Sequence, residues 1–345
     1  MPTASTLTEN PSKSNPTASP QRLLATCNQL AHNVILVDPE TLTEVRRIET
    51  PAEPHVIVYD EKRALFYVAI TYRSGFYDAH GDHGREIVVI DAATCAIAAT
   101  VDVSPDAGPH DLIIDTKRDR LYVTCESDGG CVLVYDLDGF VRIGKIPTRA
   151  PGPHWLALLP DGRKAYTGNK EAAHVSVLDL DRIAMCGSIP MPTGSEDLVV
   201  SPDGSLLYAN DRSSPFLHVI RTDTDREIAR VELPSTPHRL LWTSAQQLLV
   251  THFNYKKDKS GWNFDKPHPG GVSVTDARTL KVIGDFQVGA GPLGLAATDD
   301  GNTVFVNNAN DGTMSVVDMP SGKARGLVPL ARGSHDVILL NAPGA

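Results

Sequence analysis

The chain of 345 residues predicts an all-β protein, a seven-bladed β-propeller whose last blade is closed by strands from both termini. Three observations predict it. A short phrase recurs along nearly the whole sequence, its copies stand at a regular interval, and the stretches between them break into four short apolar runs. The phrase is Gly108-Pro109-His110-Asp111-Leu112-Ile113-Ile114-Asp115, a turn, a histidine and an apolar strand. It returns as Glu53-Pro54-His55-Val56, Gly152-Pro153-His154-Trp155, Thr236-Pro237-His238-Arg239 and Gly333-Ser334-His335-Asp336. Two copies vary the third place: Gly194-Ser195-Glu196-Asp197 has glutamate and Gly291-Pro292-Leu293-Gly294 has leucine.

The intervals between the marker positions 55, 110, 154, 196, 238, 293 and 335 are 55, 44, 42, 42, 55 and 42 residues. Blade three shows what fills them. His154 to Leu159 is followed by a Pro160-Asp161-Gly162 turn, then Lys164 to Asn169, His174 to Asp179 and Met185 to Ile189. Apolar or β-branched runs separated by Asp-Gly and Pro-Asp-Gly turns are hairpin signals. The last repeat stops after one strand, Asp336 to Leu340, and the chain starts with three: Arg22 to Cys27, Asn33 to Asp38 and Glu44 to Glu49. Joined, they complete a seventh blade and leave no open edge.

Residues 1–20 are polar and rich in Ser, Thr and Pro, and predict a flexible tail; residues 21–345 predict one propeller domain. The tail has no apolar core of the secretory kind. With five cysteines in no paired spacing, this predicts free thiols and a cytoplasmic protein. A net charge of −10 without a basic run excludes nucleic acid and anionic membrane as expected partners. No stretch is apolar enough to span a bilayer.

The runs Leu121-Tyr122-Val123-Thr124, Leu207-Tyr208-Ala209-Asn210 and Val304-Phe305-Val306-Asn307, with the turns Ser201-Pro202-Asp203-Gly204 and Leu159-Pro160-Asp161-Gly162, resemble those of the seven-bladed YVTN or YncE-like propellers. The likeness covers about residues 21–342 and implies the fold; related propellers bind, scaffold or catalyse, so it does not fix a function.

In a propeller the first strand of each blade lines the central channel, so residues at its start ring the mouth. His55, His110, His154, Glu196, His238 and His335 therefore form the expected metal-binding ring. Converging neutral imidazoles with a carboxylate and no thiolate suit one divalent transition metal, iron or copper first and zinc or manganese next. Ring members that do not bind the metal are left for acid and base work, and Glu196 and His335 are the candidates. Asp111, Asp197 and Asp336 each follow a ring position, so strand alternation turns them away from the axis, between blades. The ring is similar in principle to those of propeller metalloenzymes, the carotenoid-cleaving oxygenases with iron on four axial histidines and the streptogramin and oligogalacturonate lyases.

Two blades carry insertions between their second and third strands, residues 72–85 in blade one and 254–268 in blade five. Both are expected over the ring. Tyr72, Arg73, Tyr77, Tyr255, Lys256 and Trp262 are the candidates to contact a small-molecule substrate with an anionic or aromatic part. The reading is a metal-dependent small-molecule enzyme, a non-haem iron or copper oxidoreductase or, alternatively, a lyase or hydrolase using the metal as Lewis acid. A non-catalytic binding module, in which Pro-His is only a turn pair shared by duplicated blades, is the reading from another class. No phosphate loop, nucleophile elbow or Cys-x-x-Cys pair points elsewhere.

Overall fold

Short apolar runs cut by Asp, Gly and Pro turns can pair only with their sequence neighbours, and the chain forms seven four-stranded antiparallel sheets. The computed structural model describes residues 21–74, 82–127, 129–243, 246–253 and 269–343; the expected tail, residues 1–20, lies outside them. Blade three runs in sequence order through Pro153–Leu158, Lys164–Asn169, His174–Asp179 and Ala184–Pro190. Blade seven is the composite. Its inner strand Ser334–Asn341 pairs antiparallel with Arg22–Asn28, followed by Asn33–Asp38 and Thr43–Glu49.

Seven apolar clusters hold the ring together, one at each junction of neighbouring blades. At the first, Val56, Tyr67 and Ile87 of blade one meet Leu112, Leu121 and Val123 of blade two. Each large side chain so buried contributes about 1.5–3 kcal/mol. The second-strand tyrosines Tyr122, Tyr166 and Tyr208 are fully buried there. Outer strands such as Thr43–Glu49 are mostly exposed.

A β-bulge repeats in the first strand of six blades. Pro109 faces Cys125 while Leu112 faces Val123, so His110 and Asp111 together oppose one residue, Thr124. The same slip occurs at Pro54/Ile57, Pro153/Leu156, Pro237/Leu240 and Pro292/Leu295, and between Ser334 and Val337 in blade seven. Two residues against one suspends strand alternation and re-aims both side chains. The bulge's backbone is satisfied from the second strand: the Thr124 hydroxyl accepts from the Asp111 N–H at 2.8 Å and donates to the His154 carbonyl of the next blade at 2.7 Å.

The repeated glycine has its own task. Gly108, Gly152, Gly194, Gly291 and Gly333 all have φ between +65° and +88°, the left-handed region where a Cβ is strained. Their carbonyls accept the N–H of the residue that follows the second strand, Glu126 to Gly108 at 2.9 Å, Lys170 to Gly152 at 2.8 Å and Gln29 to Gly333 at 3.1 Å, or of the residue one place further on, Arg212 to Gly194 at 3.2 Å. Each copy of the phrase that carries the glycine thus fixes a second residue near its ring position.

Candidate metal centre

The bulged first strands bring five of the ring positions together as buried histidines: His55, His110 and His154 at 0% exposure, His335 at 1% and His238 at 7%. Ring centroids stand 4.4 Å apart for His55 and His110, 3.6 Å for His110 and His154, and 3.9 Å for His55 and His335. One ligand atom from each of His55, His110 and His154 can be chosen so that all three lie within 4.8 Å of one another. Among the described residues this is the tight group; His238, His335 and Glu196 border it.

Hydrogen bonds select the tautomers. His154 Nδ1 is 2.9 Å from the Glu196 carbonyl and His335 Nδ1 is 3.1 Å from the His55 carbonyl. A carbonyl only accepts, so both rings carry the proton on Nδ1 and the lone pair on Nε2. The Gln29 amide meets His55 Nδ1. Neither nitrogen of His110, nor His154 Nε2, has a hydrogen-bond partner among the described residues. Buried polar atoms in that state cost stability.

Burial is the first cause that holds His55, His110, His154 and His335 well below the usual imidazole range, and neighbouring imidazoles and Lys170 add to it. Burial likewise lowers His238 to about 4. The ring is therefore neutral at pH 7, the form that binds metal. Burial alone would raise the Glu196 carboxyl, but Arg212, His238 and Lys170 together hold it below its ordinary value.

The residues after the second strands make a charged collar over the ring. Glu126 Oε1 is 2.6 Å from Lys170 Nζ and 3.7 Å from His154 Nε2. Its other oxygen accepts from the Tyr72 hydroxyl at 2.7 Å, and Lys170 Nζ is 3.4 Å from that hydroxyl. Arg212 Nε is 2.9 Å from Glu196 Oε1, while Glu196 Oε2 is 3.4 Å from His154 Nδ1. Tyr72 thus stands beside the histidines, its ring 5.7 Å from that of His55. Arg73 is drawn away to Glu86 on the neighbouring strand and is half exposed. Tyr77, Tyr255, Lys256 and Trp262 lie outside the described residues.

Beneath the ring is a floor that corrects the sequence reading. Asp111, Asp197 and Asp336 do bond the next blade's backbone, at Leu156 N (2.8 Å), Leu240 N (2.7 Å) and Ile57 N (3.2 Å). They do not turn away from the channel, however. Arg239 of blade five reaches Asp197 at 3.0 Å and Asp336 of blade seven at 3.5 Å, and its guanidinium lies 3.3 Å from the centre of the Trp155 ring of blade three. Contacts between non-adjacent blades are possible only across the channel. For Asp111 and Asp336 the bulge supplies the reason, since it aims the residue after the ring position inward as well; Asp197 precedes the short strand Leu198–Val200, whose register has no slip.

Gln29, Lys170, Arg212 and Arg239 were not singled out from the sequence. The signal for the first two is the place directly after the second strand, where Glu126 also stands; Arg212 lies one place further on.

The YNCE-like beta-propeller family model matches residues 67–247, slightly more than half of the chain. A protein of Salmonella typhi named uncharacterized protein YncE is 29% identical over 153 residues, 43% of this chain; the match spans 42% of that relative's length. The 6-phosphogluconolactonase of Pectobacterium atrosepticum is 24% identical over 280 residues, 74% of this chain and 77% of its own. Among solved structures, Kuenenia stuttgartiensis hydrazine synthase superposes with a TM-score of 0.69 at 17% identity, covering 84% of this chain and 90% of its own. Dihydro-heme d1 dehydrogenase NirN, in complex with DHE, gives 0.66 at 14% identity, over 97% and 78%. At these identities the superpositions carry the fold alone. Some propeller relatives are enzymes.

Proposed function

The chain belongs to the YncE-like β-propeller family, and from that premise we propose that it is a metal-dependent small-molecule enzyme with one divalent transition-metal ion on His55, His110 and His154. The convergence of these three buried imidazoles within 4.8 Å carries the reading. The unpartnered nitrogens of His110 and the Nε2 of His154 support it, because a metal ion would engage one nitrogen of each that the described residues leave without a partner. His154 Nε2 and Glu126 Oε1 are two acceptors 3.7 Å apart, a separation that invites a cation. An all-nitrogen set favours iron or copper, with zinc or manganese next. Such an ion supplies Lewis acidity and, if iron or copper, one-electron chemistry.

Around it the chain's own groups have distinct tasks. Glu196 orients His154 through its backbone carbonyl, and its side chain, held as a carboxylate by Arg212, is the candidate base; His335, anchored through Nδ1, is the second candidate for proton transfer. Tyr72 and the collar would face a bound small molecule. The wealth of carboxylate and hydroxyl groups beside the ring also favours a lyase or hydrolase as the second reading, since those reactions need acid and base groups and no electron acceptor.

Elemental analysis of full-length protein, purified without chelator and without nickel affinity, tests the proposal. About one iron or copper per chain supports the oxidoreductase reading, and zinc or manganese moves it to the lyase or hydrolase. No retained metal, even after reconstitution with each ion, removes the metal enzyme and leaves a binding module.

A further inference from the structure

We propose that the substrate carries a carboxylate, received over the ring by Lys170 and Arg212. The inference rests on the metal reading above and adds the chemical class of what the site takes. Lys170 is 2% exposed, so its ammonium is held out of water at a cost that an apolar residue would avoid. Its position is axial. From blade three it is bonded to Glu126 of blade two and to Tyr72 of blade one, and its charge bears on His55, His110, His154, His238 and His335 as well as on Glu196. A single group felt by ring members from six blades hangs over the centre.

Arg212 stands beside it. Its guanidinium holds Glu196 and also donates to the Lys170 carbonyl. With Lys170, Thr193 and Ser213 it lines a cleft of ≈ 430 Å³ between the loops of blades three and four, a volume suited to a small organic acid. Charge decides the class. Glu126 matches Lys170 and Glu196 matches Arg212, so the collar is neutral as it stands. A dication on the imidazoles adds two positive charges to a poorly solvated site. An anionic ligand offsets them and a neutral or cationic one does not. The floor carboxylates are already engaged by backbone N–H groups and Arg239. A carboxylate, planar and two-pronged, can meet the metal with one oxygen and an N–H donor with the other.

The probe is oxalate added to the full-length protein loaded with Co²⁺, followed by the visible absorption of the metal; imidazole serves as a neutral probe of the same metal. With Co²⁺ held at saturation in each protein, Lys170→Met should weaken oxalate at least tenfold and leave imidazole binding within about twofold. Because this variant strands the buried Glu126 carboxylate, the double variant E126Q/K170M, which removes both charges, is measured alongside and should show the same loss. Unchanged oxalate affinity in the two variants, or equal weakening of oxalate and imidazole, would overturn this inference while leaving the metal site standing. Failure of the unaltered protein to bind Co²⁺ would overturn both.

Discussion

His110→Leu should make the metal-free protein more stable and the metal-loaded protein less so. His110 is fully buried and neither of its nitrogens has a hydrogen-bond partner among the described residues. Each such atom costs about 1–3 kcal/mol, and replacing it by an apolar group of like size recovers most of that. Against the gain stand the ring contacts with His154 and His55, at 3.6 and 4.4 Å between centroids, together worth roughly 1–2 kcal/mol. Two such atoms, about 4 kcal/mol at mid-range, less about 2 for the ring contacts, leave an expected gain in EDTA of about 2 kcal/mol, read as a higher denaturation midpoint at unchanged slope. Metal acts the other way. An ion at 100 times its dissociation constant stabilises the wild type by about 2.7 kcal/mol. Loss of a ligand should cost more than the ~10–100-fold that losing an outer-sphere partner costs, which erases most of this. The unfolding curves of wild type and variant should therefore exchange order between EDTA and saturating metal. A variant less stable than wild type in EDTA would mean that His110 has a structural partner. Equal stabilisation of the two by metal would mean that it is no ligand.

Acidification tests the neutral ring. His238 is lowered to about 4 from 6.5 by burial, so the unfolded chain takes its proton first. Its contribution, about 3 kcal/mol, is complete above pH 6.5 and is lost as pH falls to about 4. Asp197, raised to about 6 by burial, has the opposite sign and loses stability as pH rises from 3.8 to 6. The comparison of wild type with His238→Phe isolates the histidine: in EDTA the variant should lose less stability between pH 7 and 4, and parallel profiles would show that His238 is not held neutral. Closure of the ring is tested by deleting residues 334–345, which removes the inner strand of blade seven and uncovers Arg22–Asn28. The deletion should abolish cooperative unfolding and produce aggregation through the bared edge. A monodisperse, cooperatively unfolding product would show that the terminal strand is dispensable.

Much of this molecule is local and so was open to reading in one dimension. Strands, turns and blades are set by residues within a few places of one another, and their repetition every forty-odd residues marks His55, His110, His154, Glu196, His238, Leu293 and His335 as equivalent. Closure by both termini follows from counting strands, and Tyr72 could be placed near the mouth from the insertion that it opens. Other features depend on distances that no local pattern carries. Asp111 and Asp336 face the channel because a bulge sets two residues against one, and alternation alone points them the other way. Lys170 and Arg212 read as ordinary loop charges until blades two, three and four bring Glu126, His154 and Glu196 around them. Arg239 gains Trp155 and Asp336 only when the ring closes. Sequence determined which residues repeat; the tertiary structure decided which of them meet, because burial, bulges and contacts across the axis arise only when seven separate blades share one centre.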